Sequence, residues 1–212
     1  MNRTSALLLC LIALIVGWFA YSKYGPQPAS VWTSAAPKIQ GSKIYFVPIG
    51  DFPTESLQPL VRYYREKYNL EIVVLTDISV DAASRDQSRQ QLMAERLASG
   101  IRNSVPAAAQ DQKAILIGFT SEDIYPASKG WQFAFGWRLV DEGAAVVSTA
   151  RLSLPSEAAT SDADLSATRL RKIVTKDIGI LYYGLPQSPN SNSVLYNQIM
   201  GIDELDQVGE DF

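Results

Sequence analysis

Histidine occurs at none of the 212 positions. Its absence removes Ser-His-Asp and Cys-His nucleophile systems and every histidine-based metal site. Cysteine occurs once, at Cys10, so neither an intramolecular disulfide nor a thiolate zinc cluster can form. No GxxxxGKS/T or GxGxxG loop is present to cradle a phosphate. Basic excess is missing too: 19 Lys and Arg stand against 22 Asp and Glu, a net charge of -3, which argues against a nucleic-acid partner. The one long apolar run, Ala6 to Tyr21, extends roughly 24 Å as a helix and falls short of a ~30 Å hydrocarbon core.

That run is nevertheless an address. Arg3 precedes it, Lys23 follows it, and a Pro/Ser/Ala-rich stretch continues to Pro37. Residues 1–22 read as a membrane anchor or a signal peptide and residues 23–42 as a linker. Ala20-Tyr21-Ser22 offers a small-x-small cleavage site, whereas Trp18, Tyr21 and Tyr24 at interface depth favour an uncleaved anchor, to which the reading leans. The expectation is a domain tethered outside the cytoplasm, or a secreted or periplasmic one if the leader is removed.

With 47% hydrophobic residues, the remainder, 43–212, can fill one domain core. Strands are expected over Lys43 to Ile49 and Glu71 to Thr76, joined by a helix that Thr54 or Ser56 caps and that ends near Tyr68. A second helix is expected from about Asp86 to Asn103. A third, capped by Asp162 or Asp164, is expected from about Leu165 to Tyr182, with Leu170, Ile173, Val174, Ile178 and Leu181 as its buried stripe. Between them lies the most informative stretch, Ala114 to Leu152. Ala114 to Ile117 and Ala144 to Val147 are continuous apolar runs, the mark of buried strands, and Trp131 to Phe135 alternates large and small like a half-exposed edge strand.

The words IGFTSEDIY, FAFG and AVVSTARL, in that order and spacing, resemble the archaemetzincins, a metzincin-type zinc metalloprotease family. Arg89-Gln90-Gln91 loosely resembles an RxQ segment of that family, and VLYN at Val194 to Asn197 with the acidic tail that follows resembles its C-terminus. The resemblance spans Ile44 to Phe212. It implies an α/β domain with a metzincin-like mixed, mostly parallel twisted sheet of about four or five strands, an antiparallel edge strand and three main helices. The edge strand of that family pairs with substrate backbone, which makes Phe133, Ala134, Phe135 and Gly136 the candidate peptide-binding edge; a plain edge with inward-packed aromatics is the competing reading. Tyr182 and Tyr183 are candidate cleft-wall residues, against core plus surface. Thr120, Asp123 and Arg151 are assigned to buried hydrogen bonds that hold the loops, structure before function.

The family's zinc motif, HExxHxxGxxH, is missing. Matched to it, the positions become Lys176 and Ile180 for the first two ligands, Asp177 for the general base, Pro186 for the third ligand and Leu195 for the Met-turn methionine, with Met200 a rival less well spaced. None of the ligand positions carries a zinc ligand, and the expected metal and cofactor content is none. Lys176 is expected to reach solvent and Ile180 to cap the cleft floor. Asp203, Glu204, Asp206, Glu210 and Asp211 read as a solvated acidic tail rather than a calcium site. The expected function is a catalytically inactive, exported or membrane-tethered relative of these proteases whose cleft binds a peptide-like partner or persists as scaffold. The alternative is a working hydrolase with zinc held by carboxylates and tyrosine, or with a metal-free site.

Overall fold

The computed structural model describes residues 42–106, 111–153 and 159–212. The leader 1–22 and almost all of the linker 23–42 lie outside the described residues. Among those described, no helix is long and apolar enough to cross a membrane.

The first strand, β1 (Ile44–Pro48), is buried at all five positions, as an apolar run flanked on both sides must be. A single 3-10 turn, Thr54–Leu57, leads into helix α1 (Gln58–Tyr68). Neither Thr54 nor Ser56 caps it: Pro53 stands at the N-terminus, and the Ser56 hydroxyl instead donates to the Pro53 carbonyl at 2.6 Å. Pro59 falls in the first turn of α1, where its missing N–H costs nothing. Asn69, at φ 52°, closes the helix, and β2 (Ile72–Val74) then pairs in parallel with β1.

The helix expected from Asp86 starts eight residues later. Strands β3 (Arg85–Asp86) and β4 (Gln91–Met93) form an antiparallel pair, and only then does α2 (Ala94–Ser104) begin. The cause is local. The Asp86 carboxylate accepts from the backbone N–H groups of Ser88 and Arg89 at 3.0 and 3.2 Å, an Asx turn, and Gln90 sits at φ 54°.

Strands β5 (Ile115–Thr120) and β8 (Ala144–Ser148) are buried throughout. The short β6 (Ile124–Tyr125) pairs with β4 in a three-stranded ribbon, and β7 (Gly136–Leu139) runs antiparallel to β8. The main sheet has the order β2-β1-β5-β8-β7, parallel apart from β7 at one edge. The edge strand therefore exists but is displaced. Trp131 to Phe135 form a bend that touches the ribbon at the Ile124–Ala134 bridge, and of the four expected edge residues only Gly136 lies in β7.

The long helix α3 (Ala159–Leu181) begins before Asp162 and Asp164, so neither caps it. Its Ile173, Val174, Ile178 and Leu181 pack with Phe46, Phe119 and Val147 of the sheet and with α1, and Leu170 joins them partly buried. The opposite sheet face carries a second core of Val47, Ile49, Leu116 and Val146 against Leu97 and Ile101 of α2. A short α4 (Ile202–Gln207) follows near the C-terminus.

Candidate functional site

Between β7, the bend before it and α3 lies a cavity of about 550 Å³, lined also by Gln187, Asn197, Ile199 and Met200. Phe133, Ala134, Phe135 and Gly136 all line it, together with Arg138, Ile173 and Lys176. Phe133 and Phe135 meet edge to face, centroids 5.3 Å apart, and the Arg151 guanidinium lies 4.4 Å from the Phe133 ring centroid. Met200 is an exposed rim residue.

Lys176 lines this cavity yet does not reach solvent freely: it is 6% exposed, and its ammonium donates to the backbone carbonyl of Tyr196. The expectation of a solvent-reaching lysine fails because the 185–200 segment folds back over α3 and supplies that acceptor. Burial, reinforced by the neighbouring Arg138 cation, pushes the ammonium's pKa down to about 8. The adjacent Asp177 is 0% exposed. Its Oδ1 accepts from Arg138 Nε at 2.6 Å, while Oδ2 has no partner among the described residues. Burial raises the Asp177 pKa, and the Arg138 and Lys176 charges oppose that rise.

Ile180 does not cap the cavity floor. It packs with Leu185, Val194 and Leu195 beneath the helix, because the 194–195 turn presses there. Leu195 comes so close that a Cβ on Gly179 would lie 2.9 Å from its Cδ2. Leu195 is thus the buried turn residue, and Met200 is not. The chain leaves α3 through Gly184 at φ 65°, after which Pro186 is exposed and Gln187, one residue later, lines the cavity. Tyr182 and Tyr183 do not line it. They pack against the core and each other, and Tyr183 meets Phe212 at 5.2 Å.

The bend is held from behind. Arg89 donates to the Trp131 and Gln132 carbonyls at 3.3 and 2.9 Å, and Gln91 donates to the Gln132 carbonyl and to Asp123. Asp123 also takes both Nε and Nη2 of Arg151, and the Thr120 hydroxyl accepts from Glu122 N–H at 3.1 Å. Thr120, Asp123 and Arg151 therefore hold the loops, though the Asp123–Arg151 bonds are exposed rather than buried, and Arg89-Gln90-Gln91 gains such a role. The acidic tail, by contrast, is not solvated as a whole. Asp206 receives Arg169 through two bonds of 2.7–2.8 Å, Glu210 pairs with Arg171, and Asp211 with Lys67.

Zinc does not fit this centre. The residues at the ligand positions are an ammonium, a sec-butyl group and, for the third, a proline or the neighbouring amide Gln187; the one close carboxylate is committed to Arg138. Among the described residues no group of three His, Cys, Asp or Glu side chains stands where it could hold a metal ion. An archaemetzincin of Haloquadratum walsbyi is 30% identical over 159 residues, which take in 70% of this chain and 83% of that protein. The chain belongs to the archaemetzincin family. Archaemetzincins of two Halobacterium salinarum strains are 29% identical over 140 residues, 65% of this chain and 76% of theirs. Solved archaemetzincin structures share the fold: that from Archaeoglobus fulgidus, complexed with malonate, gives a TM-score of 0.64 at 24% identity over 81% of this chain and 95% of that one. The Methanopyrus kandleri structure gives 0.65 at 24% identity over 84% and 92%. No family model matches the sequence.

Arg138 and the Tyr196 carbonyl escaped the sequence reading. Arg138 left a signal, the single charge in the FAFGWRL stretch; a backbone carbonyl leaves none.

Proposed function

We propose that this chain is a catalytically inert archaemetzincin, tethered outside the cytoplasm by its leader, whose cleft holds an extended peptide-like segment along the β7 edge. One observation carries the inert reading: Lys176, at the first ligand position, is buried and hydrogen-bonded to the Tyr196 carbonyl, so a cation of the protein stands where the family resemblance puts a metal. The Asp177 carboxylate, at the general-base position, is tied to Arg138 and has no free access to a water. The binding part of the reading draws on the position of β7 at an open sheet edge and on the cavity beside it. The tether draws on the 6–21 run and its aromatic flank.

Elemental analysis of the dialysed protein, with mass spectrometry of a peptide mixture incubated with it, tests the inert reading. Substoichiometric zinc and no cleavage are expected; one equivalent of zinc, or cleavage products that vanish with a chelator, would overturn it. For the tether, the native protein should stay with membranes through carbonate washing and begin at Met1 or Asn2. A soluble chain beginning near Lys23 would refute the anchor.

A further inference from the structure

The charge on the cavity lining is one-sided. Its two ionisable side chains are Lys176 and Arg138, and no Asp or Glu lines it. Asp177 lies buried beneath and offsets one of the two charges through its bond to Arg138 Nε. Among the described residues, Nε supplies the one hydrogen bond of Arg138 and the Tyr196 carbonyl the one acceptor of Lys176, so both cations keep N–H groups for a ligand. The surrounding wall is apolar and aromatic, with Phe133, Phe135, Ile173 and Ile199. Such a lining, apolar with a few convergent donors, orients a ligand by one polar end.

We propose that this cavity takes a carboxylate carried on an apolar body, and that its occupant is the free C-terminus of a peptide lying along β7. The inference rests on the groove reading above and specifies which end of the peptide enters. The complementarity is of three kinds. The lining holds a net positive charge, which a carboxylate neutralises with charge-assisted hydrogen bonds from a lysine and a guanidinium. Its volume of about 550 Å³ has room for a large side chain next to that carboxylate. The strand that forms one wall runs at the sheet edge, where an extended chain finds unpaired backbone groups leading towards the cation pair. At neutral pH Lys176 still holds its proton, since burial and the Arg138 cation, opposed by the Asp177 carboxylate, lower its pKa only to about 8.

Calorimetry on the full chain, with three probes, tests this: N-acetyl-Ala-Leu-Phe with a free carboxylate, the same peptide as its C-terminal amide, and 4-phenylbutyrate. The acid is expected to bind at least tenfold more tightly than the amide, and Lys176→Met is expected to erase that preference while leaving the circular dichroism spectrum unchanged. Equal binding of acid and amide would overturn the inference and leave the groove reading standing. Binding of neither peptide would overturn both. Lysine-dependent binding of 4-phenylbutyrate without binding of the peptide acid would overturn the peptide occupant in favour of a small apolar acid.

Discussion

The two faces of the main sheet are built to different rules. Against α2 the contact is dry: Val47, Ile49, Leu116 and Val146 meet Leu97 and Ile101, with no buried charge in that cluster. Against α1 and α3 an aromatic core of Phe46, Phe119 and Tyr64 sits beside Arg169, Lys172, Lys176 and Asp177, which are all the buried charged side chains among the described residues and all lie on α3. An apolar face is stabilised by removal from water, roughly 25 cal/mol per Å², and tolerates modest changes of shape. A buried ionic stripe works otherwise, because each charge depends on a named partner elsewhere in the chain. The α3 side is therefore where single substitutions are expected to have the largest effects.

The sharpest break of that comparison is Arg138→Leu. It leaves Asp177, wholly buried, without the guanidinium that holds Oδ1 and with Oδ2 already unpartnered. The expected cost is about 3–5 kcal/mol in denaturant unfolding, against about 0.5–1.5 kcal/mol for Ile101→Val on the dry face. The double variant Arg138→Leu with Asp177→Leu should regain most of the loss, since removing both members of a buried pair spares the lone charge. A double variant no more stable than the single one would show that the pair is not what holds β7 to α3.

Lys176→Met should act in the opposite direction. The lysine's folded-state pKa, about 8, lies below its unfolded value of about 10.4, so the unfolded chain holds more protons between those limits. The wild type is thus penalised in full below about pH 8, and the penalty fades as pH rises towards 10.4. Methionine removes it and gives up the bond to the Tyr196 carbonyl, a net gain of about 1–2 kcal/mol at pH 7. Above about pH 10.5 the variant should lose that advantage. Unfolding midpoints at pH 7 and pH 10.5 decide it, and a variant less stable than wild type at pH 7 would mean that the ammonium is well solvated in its cavity.

The contrast between the faces also marks what could be read in the sequence. Runs such as Ile115–Thr120 and Ala144–Ser148 disclose strands because burial on both sides demands unbroken apolar residues. Phe133 to Gly136, the candidate edge that the family resemblance implies, line the cavity, though only Gly136 lies on β7. Helical spacing places the start of α2 too early because Leu92, Leu97 and Ile101 share one core although Leu92 sits on a strand, and the Asp86 turn ahead of Leu92 is a matter of three hydrogen-bonded atoms. The burial of Lys176, expected to reach solvent, has a different cause, which Arg169 and Lys172 share. The 196–206 segment covers all three, with Asp206, the Leu205 carbonyl and the Tyr196 carbonyl as partners at least twenty residues away. Apolar periodicity reports what an element buries; it carries no mark of a later segment that closes over its polar side.

The acidic tail supplies the smallest effect. Asp211 accepts from the Tyr68 hydroxyl at 2.7 Å and pairs with Lys67, but its side chain is 60% exposed and that of Lys67 35%. The Lys67 ammonium and then the Tyr68 hydroxyl hold its carboxyl below the usual range, so its contribution is present above the unfolded value of about 3.9 and is lost as pH falls through the lower folded value. Solvent screening keeps such a pair to about 0.2–1 kcal/mol, and salt at 1 M should shrink it further. Asp211→Asn retains an acceptor for Tyr68 and removes only the charge, so the expected loss at pH 7 is about 0.5 kcal/mol, vanishing once pH falls below the lowered folded-state value. Asp206→Asn, which removes a counter-charge from a guanidinium 1% exposed, should cost several times more. If the two asparagine variants were equally destabilised in parallel denaturant titrations, burial would not be what separates the inner part of the tail from its end.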